Sequence, residues 1–221
     1  MTKIERCLMS LNNPLRIAIA IGLVLLVATV IWEGTTRYKL DKQIQIEKEE
    51  QLVRENARLR YIQQLSVEFS FDPRIVMTVD HLAGEYMKQG DLAYRLLTRE
   101  LFTYLFLSLI WAESEGDPTA IGDDGKAYGL TQLWLTSAKQ YNENVTETEL
   151  LTVQGNLTIA FQHADYLLNK YRGNVALWLY SWNRGEGTVD SLLDYGGVVE
   201  NGYARRVYEA AELNNRRMDW R

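Results

Sequence analysis

Residues Ile17 to Trp32, I-A-I-A-I-G-L-V-L-L-V-A-T-V-I-W, form the longest uncharged run of the chain. Sixteen residues fall short of the roughly 20 that a helix needs to cross a bilayer core. Leu15 and the snorkelling side chain of Arg16 extend the run. A short charged segment with Lys3 and Arg6 precedes it, as in a cleaved signal peptide. Bulky Ile31-Trp32 stands where a small-residue cleavage site would be wanted, so an uncleaved transmembrane signal anchor over 17–32 is expected, after an N-terminal tail over 1–16. A buried soluble helix would need this stretch covered on every side. Flanking positive charges balance, Lys3, Arg6 and Arg16 against Arg37, Lys39 and Lys42. The short tail and the abutting Arg16 favour a cytoplasmic N-terminus.

Between 33 and 70 the pattern becomes polar and charge-mixed. Leu40, Ile44, Leu52, Leu59, Ile62 and Leu65 are spaced too irregularly for a strict heptad, and Gln45 and Ser66 occupy the seam that Leu52–Leu59 and Ile62–Phe69 would define. A solvated helical stalk is predicted. From Phe71 onward the spacing changes to short amphipathic helices. Asp72-Pro73 reads as N-cap and first helical residue, with that helix ending near Gly90. Asp91 then caps a helix carrying Leu92, Leu96, Leu97, Leu101, Leu105, Ile110 and Trp111 into Glu113. Beyond a Gly/Asp loop over 116–125, helices are predicted at 131–141, 157–171, 175–182 and 204–212, with at most a short hairpin at 120–128. The fold class is all-α, with a domain over 71–221.

Composition narrows the chemistry. With 47% apolar residues the 221-residue chain can build a sizeable core. The net charge of −5 argues against a nucleic-acid partner. Cys7 is the only cysteine, and His81 and His163 are the only histidines, so neither a disulfide framework nor a metal site is indicated and no cofactor is expected. Six Trp and thirteen Tyr suit core filling, and also the stacking of sugar rings.

Glu113 closes the apolar run Leu105–Trp111, and Gly116-Asp117-Pro118 follows at once. Burial at such a place disfavours the carboxylate and leaves a proton available near neutral pH. A helix-end carboxylate in a salt bridge is the structural alternative. Four segments extend the pattern in order: Glu113-Ser114-x-x-x-Pro118-x-Ala120, Ala127-Tyr128-Gly129-Leu130-Thr131-Gln132, Asn156-Leu157, and Trp182-Asn183-Arg184-Gly185-Glu186-Gly187-Thr188-Val189. With the closing Tyr203-Ala204-Arg205-Arg206-Val207, these resemble the lytic transglycosylase family of lysozyme-like fold, over residues 105 to 210.

The resemblance implies cleavage of the bond between N-acetylmuramic acid and N-acetylglucosamine in peptidoglycan. Glu113 would serve as acid and then base, while the muramic C6 hydroxyl closes a 1,6-anhydro ring. No second carboxylate is then needed to activate water, unlike most glycoside hydrolases. Ser114, Tyr128, Gly129, Gln132, Tyr180, Trp182 and Asn183 are the expected substrate-binding residues: Gly129 for close approach of the backbone to the sugar, Gln132 for an acetamido group. Asn156 is expected to cap its helix, and His163 to be packed.

Two departures from the family pattern stand out. Thr131 replaces Met, a change expected to alter a packing contact. Trp182 replaces Tyr, and an indole only stacks or donates. Tyr180 would have to supply the hydroxyl, although i and i+2 point about 200° apart on a helix. Arg184 and Glu186 replace small and Pro residues, and would either pair or meet the muramyl peptide. A muramidase using Asp123 or Asp124 to position water, and a non-catalytic wall-binding protein, are the competing functions. An anchored wall-cutting domain suits wall remodelling, an envelope-spanning secretion or conjugation machine, or a phage particle.

Overall fold

The computed structural model describes residues 13–88, 97–196 and 202–207. The expected tail over 1–12, the stop at Gly90, the Asp91 cap with Leu92 and Leu96, and the far end of the 204–212 helix lie outside them. The chain divides into two compact units, Met1–Leu59 and Arg60–Arg221.

In the first unit, α1 (Asn13–Phe69) carries the expected anchor and most of the expected stalk as one helix. Among the described residues it is the one helix long and apolar enough to cross a membrane, a criterion that signal sequences also meet. Its last turns belong to the second unit, where Ile62, Leu65 and Phe69 are buried. Their i, i+3, i+7 spacing forms one helical face. By contacts the second unit begins at Arg60.

The second unit is helical with one small sheet. α1 stops where Ser70 turns left-handed at φ 57° and Phe71 N–H reaches back to the Ser66 carbonyl at 3.0 Å. α2 (Pro73–Lys88) begins as its Asp-Pro start requires, with Arg74 N–H on Asp72 Oδ1 at 2.8 Å. α3 (Arg99–Ser114) is capped by Thr98, whose hydroxyl accepts from Leu101 N–H at 3.2 Å. Nine consecutive residues of α3, Phe102 through Ile110, are buried, so this helix has no wet face until Trp111. Phe106 stacks on Phe161 at 4.0 Å between centroids, and Phe102 meets Phe161 and Trp178 at 5.6 and 5.8 Å. Each such fully buried side chain contributes about 1.5–3 kcal/mol. At the other end of α3, Arg99 donates to the carboxylate and carbonyl of buried Asp80 on α2 at 2.8 Å each.

Three two-residue strands follow: β1 (Ile121–Gly122), β2 (Ala127–Tyr128) and β3 (Leu133–Trp134), antiparallel in that order, with Ile121 opposite Tyr128 and Tyr128 opposite Leu133. The helix expected at 131–141 is therefore replaced by β3 and a single turn, α4 (Leu135–Ala138). Left-handed backbone at Gly129 (φ 71°) and Gln132 (φ 48°) is incompatible with helix. α5 (Glu147–Leu150) opens with a Thr146–Glu149 capping box. α6 (Val153–Lys170) is capped by Thr152, not by Asn156 as the sequence suggested. α7 (Val175–Arg184) is capped by Asn174, and α8 (Glu186–Asp194), which the sequence reading missed, follows after Gly185 at φ 79°. Lys170 on α6 holds α8 through Glu186 at 2.6 Å and Asp190 at 2.7 Å. Glu186 therefore pairs with Lys170 rather than with Arg184. Residues 202–207 form a closing helical turn.

Asn156 has a different task. Fully buried, it donates to the carbonyls of Tyr128 and Leu150 at 2.8 and 2.9 Å, and its Oδ1 accepts from the backbone and hydroxyl of Thr131 at 3.1 and 2.7 Å. The Thr at 131 is thus a polar partner inside the core. Asn156→Ala should cost about 3 kcal/mol, because it strands several buried polar groups at once. Urea unfolding of the two proteins measures the difference.

Candidate active site

The last turn of α3 leaves the core and carries a half-buried carboxyl, Glu113, to the surface. Glu115 closes the helix in left-handed backbone at φ 54°, its N–H on the Trp111 carbonyl at 3.1 Å. Burial pushes the Glu113 carboxyl up to about pKa 7; the negative charge of Asp123 adds to the rise, while a hydrogen bond from Tyr203 works against it. That bond runs from the Tyr203 hydroxyl to Glu113 Oε1 at 2.5 Å and joins residues 90 positions apart. A carboxyl that is protonated near neutral pH and fixed at one oxygen can deliver its proton from the other.

Two cavities take in expected site residues. One, of about 330 Å³, is lined by Ser108, Trp111, Ala112, Glu113, Ser114, Glu115, Arg206 and Val207. The other, of about 490 Å³, is lined by Asp123, Trp134, Ser137, Gln140, His163 and the stretch from Ser181 through Gly187. Glu113 and Ser114 thus meet in the first, and Trp182 and Asn183 in the second. Asp123 is held by Trp134, whose Nε1 donates to Oδ2 at 2.9 Å. His163 lies in the wall of the second cavity, its Nδ1 2.8 Å from the Tyr141 hydroxyl, and burial depresses its pKa to about 4, so it is neutral near pH 7.

The remaining expected residues play supporting parts. The Ser114 hydroxyl is spent on the Leu130 carbonyl at 2.8 Å, tying the end of α3 to the hairpin. Tyr128 donates to the Gly125 carbonyl at 2.6 Å and lines a third hollow with Lys126 and Trp134. Gly129 is bare for a packing reason: a Cβ there would press within 2.1 Å of the Leu150 carbonyl and 2.5 Å of Asn156 Nδ2, in left-handed backbone besides. Gln132 donates to the carbonyls of Gly129 and Ala120 at 2.9 and 3.3 Å, which packs its Oε1 against Gly122. Gly129, Gln132 and Tyr180 line neither of the two cavities; Tyr180 packs against the core. Trp182 donates to the Thr131 carbonyl at 3.4 Å and packs on His163 at 5.0 Å. Among the described residues, no group of three His, Cys, Asp or Glu side chains could hold a metal ion.

Residues 93–199 match the transglycosylase SLT domain. That stretch of the chain is an SLT domain. Members of its family are lytic transglycosylases, lyases that act on peptidoglycan, and this SLT domain is such an enzyme on the all-α lysozyme-like scaffold. No curated protein and no solved structure gives a significant match to the chain. Tyr203 lies just past the matched residues. The sequence held its signal in the spacing Tyr203-x-x-x-Val207, but nothing local tied it to Glu113.

Two outcomes follow from the raised pKa. Ionising Glu113 is harder in the folded chain than in the unfolded one, where its value is near 4.5. Wild type therefore keeps its full stability below that pH and loses some as pH rises through about 7. Glu113→Gln should gain about 3 kcal/mol relative to wild type between about pH 4 and pH 8, read from denaturant unfolding at each pH. Tyr203→Phe removes a bond that favours the carboxylate. The Glu113 pKa should rise further, by roughly half to one unit, in a carboxyl carbon NMR titration.

Proposed function

We propose that this SLT domain cleaves the β-1,4 bond between N-acetylmuramic acid and N-acetylglucosamine with formation of 1,6-anhydromuramic acid. Glu113 donates its proton to the glycosidic oxygen as the bond to muramic C1 breaks. The resulting carboxylate then takes the proton of the muramic C6 hydroxyl as that oxygen bonds to C1. Glu113 ends protonated and no water is consumed. The observation that carries this reading is the Glu113 carboxyl, half-buried at the end of α3, holding its proton to about pH 7 and fixed by Tyr203. Tyr203 meets the need for a phenol beside the acid that Trp182 leaves open, so Tyr180 is not required for it. Trp182, Asn183 and the amide of Gln132 bind the sugars in this reading. Ser114, Tyr128 and Gly129 act through the shape of the hairpin.

The anchor over 17–32 holds the chain in the cytoplasmic membrane, with the catalytic domain on the periplasmic or outer side where peptidoglycan lies. Local wall opening by such an enzyme serves remodelling, an envelope-spanning machine or a phage particle alike.

Hydrolysis of the same bond is the second reading. It is favoured by Asp123, whose charge is felt at Glu113. Against it, the Asp123 carboxylate is engaged by Trp134. Mass spectrometry of digested glycan strands decides. Anhydromuramyl ends are expected, lost by at least a hundredfold in Glu113→Gln, as befits removal of an acid–base group. Reducing muramic ends in their place would establish hydrolysis, and walls left intact by the wild type would end both readings.

A further inference from the structure

The cavity beside Glu113 contains a cation that cleavage of a neutral glycosidic bond does not use. Arg206 lies one helical turn after Tyr203 and forms part of the same wall as Glu113 and Trp111. Its side chain is exposed, and no ion pair joins it to any described carboxylate, Glu115 of the same cavity included. Its charge is close enough to oppose the upward shift of the Tyr203 phenol. Trp111, 53% exposed, supplies a broad apolar surface beside it.

A polysaccharide of N-acetylated sugars has only neutral hydroxyl and acetamido groups along its backbone. Guanidinium gains most from planar carboxylates, which its fork meets with two parallel hydrogen bonds. In peptidoglycan that charge hangs from one place, the lactyl ether at C3 of each muramic residue. It is either the lactyl carboxylate itself or a carboxylate of the peptide attached to it. We propose that Arg206 recognises a carboxylate on the C3 arm of the muramic residue held at Glu113, so that the site selects charged muramyl units. Trp111 lies beside the arm, and Glu113 keeps its proton there without a competing ion pair to Arg206. The inference rests on the glycan reading above but not on the anhydro product.

Binding by the full chain carrying Glu113→Gln, which leaves strands uncut, tests it. Four probes are used: soluble strands with their stem peptides, strands freed of peptides by an amidase and so ending in lactyl carboxylates, and each of these with carboxyls blocked as methylamides. Adding Arg206→Ala should weaken binding of the free-carboxyl strands about fivefold, the size of a partly exposed ion pair, with a change under twofold for blocked strands. Arg206→Lys should recover part of the loss, since it restores charge without the fork. Loss with stripped strands identifies the lactyl carboxylate as the partner; loss only with peptides present identifies the stem. Equal losses on free and blocked strands, or none on either, overturn the proposal. Product analysis of the wild type separately decides the anhydro mechanism, so each can fail alone.

Discussion

Asn156 spends its amide hydrogens and its carbonyl oxygen inside the core, on Tyr128, Leu150 and Thr131. Those groups belong to β2, the end of α5 and the loop before β3. A buried amide satisfied this fully fixes orientation far better than apolar contact does, because any shift leaves a polar group without a partner. The three short strands have little pairing of their own, and two-residue strands are marginal without such support. Ser114 then extends the same arrangement to α3 through the Leu130 carbonyl. The position of Glu113 relative to the hairpin thus traces back to one uncharged side chain.

The second constraint is the dryness of α3. Nine successive buried residues would serve equally in a helix of purely structural role, but here the helix ends one turn after it surfaces. Glu113 inherits low polarity from behind and access from in front. The burial is what raises its pKa, and the hydroxyl of Tyr203 limits the rise. Asp123 contributes from the hairpin turn, where Trp134 keeps it engaged.

Much of this was legible in the residues. Asp72-Pro73, the apolar approach to Glu113 and the Gly116-Asp117-Pro118 stop each express a rule that acts over a few positions, and the all-α class follows from their spacing. The misreadings have one physical origin. Residues 131–141 carry helix-compatible side chains, yet the backbone is left-handed at Gly129, which packs against α5 and α6, and at Gln132, which turns back onto the Gly129 and Ala120 carbonyls. Asn156 looked like a cap because a cap is the local use of Asn, while its actual partners include residues 25 and 28 positions away. Long-range hydrogen bonds leave no periodicity to read.

The contact between Tyr203 and Glu113 also imposes an order in time. Glu113 and the helix that raises its pKa are synthesised 90 residues before the phenol that fixes it. A chain emerging from the ribosome presents Glu113 first and its partner hydroxyl 90 residues later. Until residue 203 docks, the carboxyl lacks its orienting bond. The Glu113–Tyr203 pair of this SLT domain is thereby completed only after the helices and hairpin between them have been made.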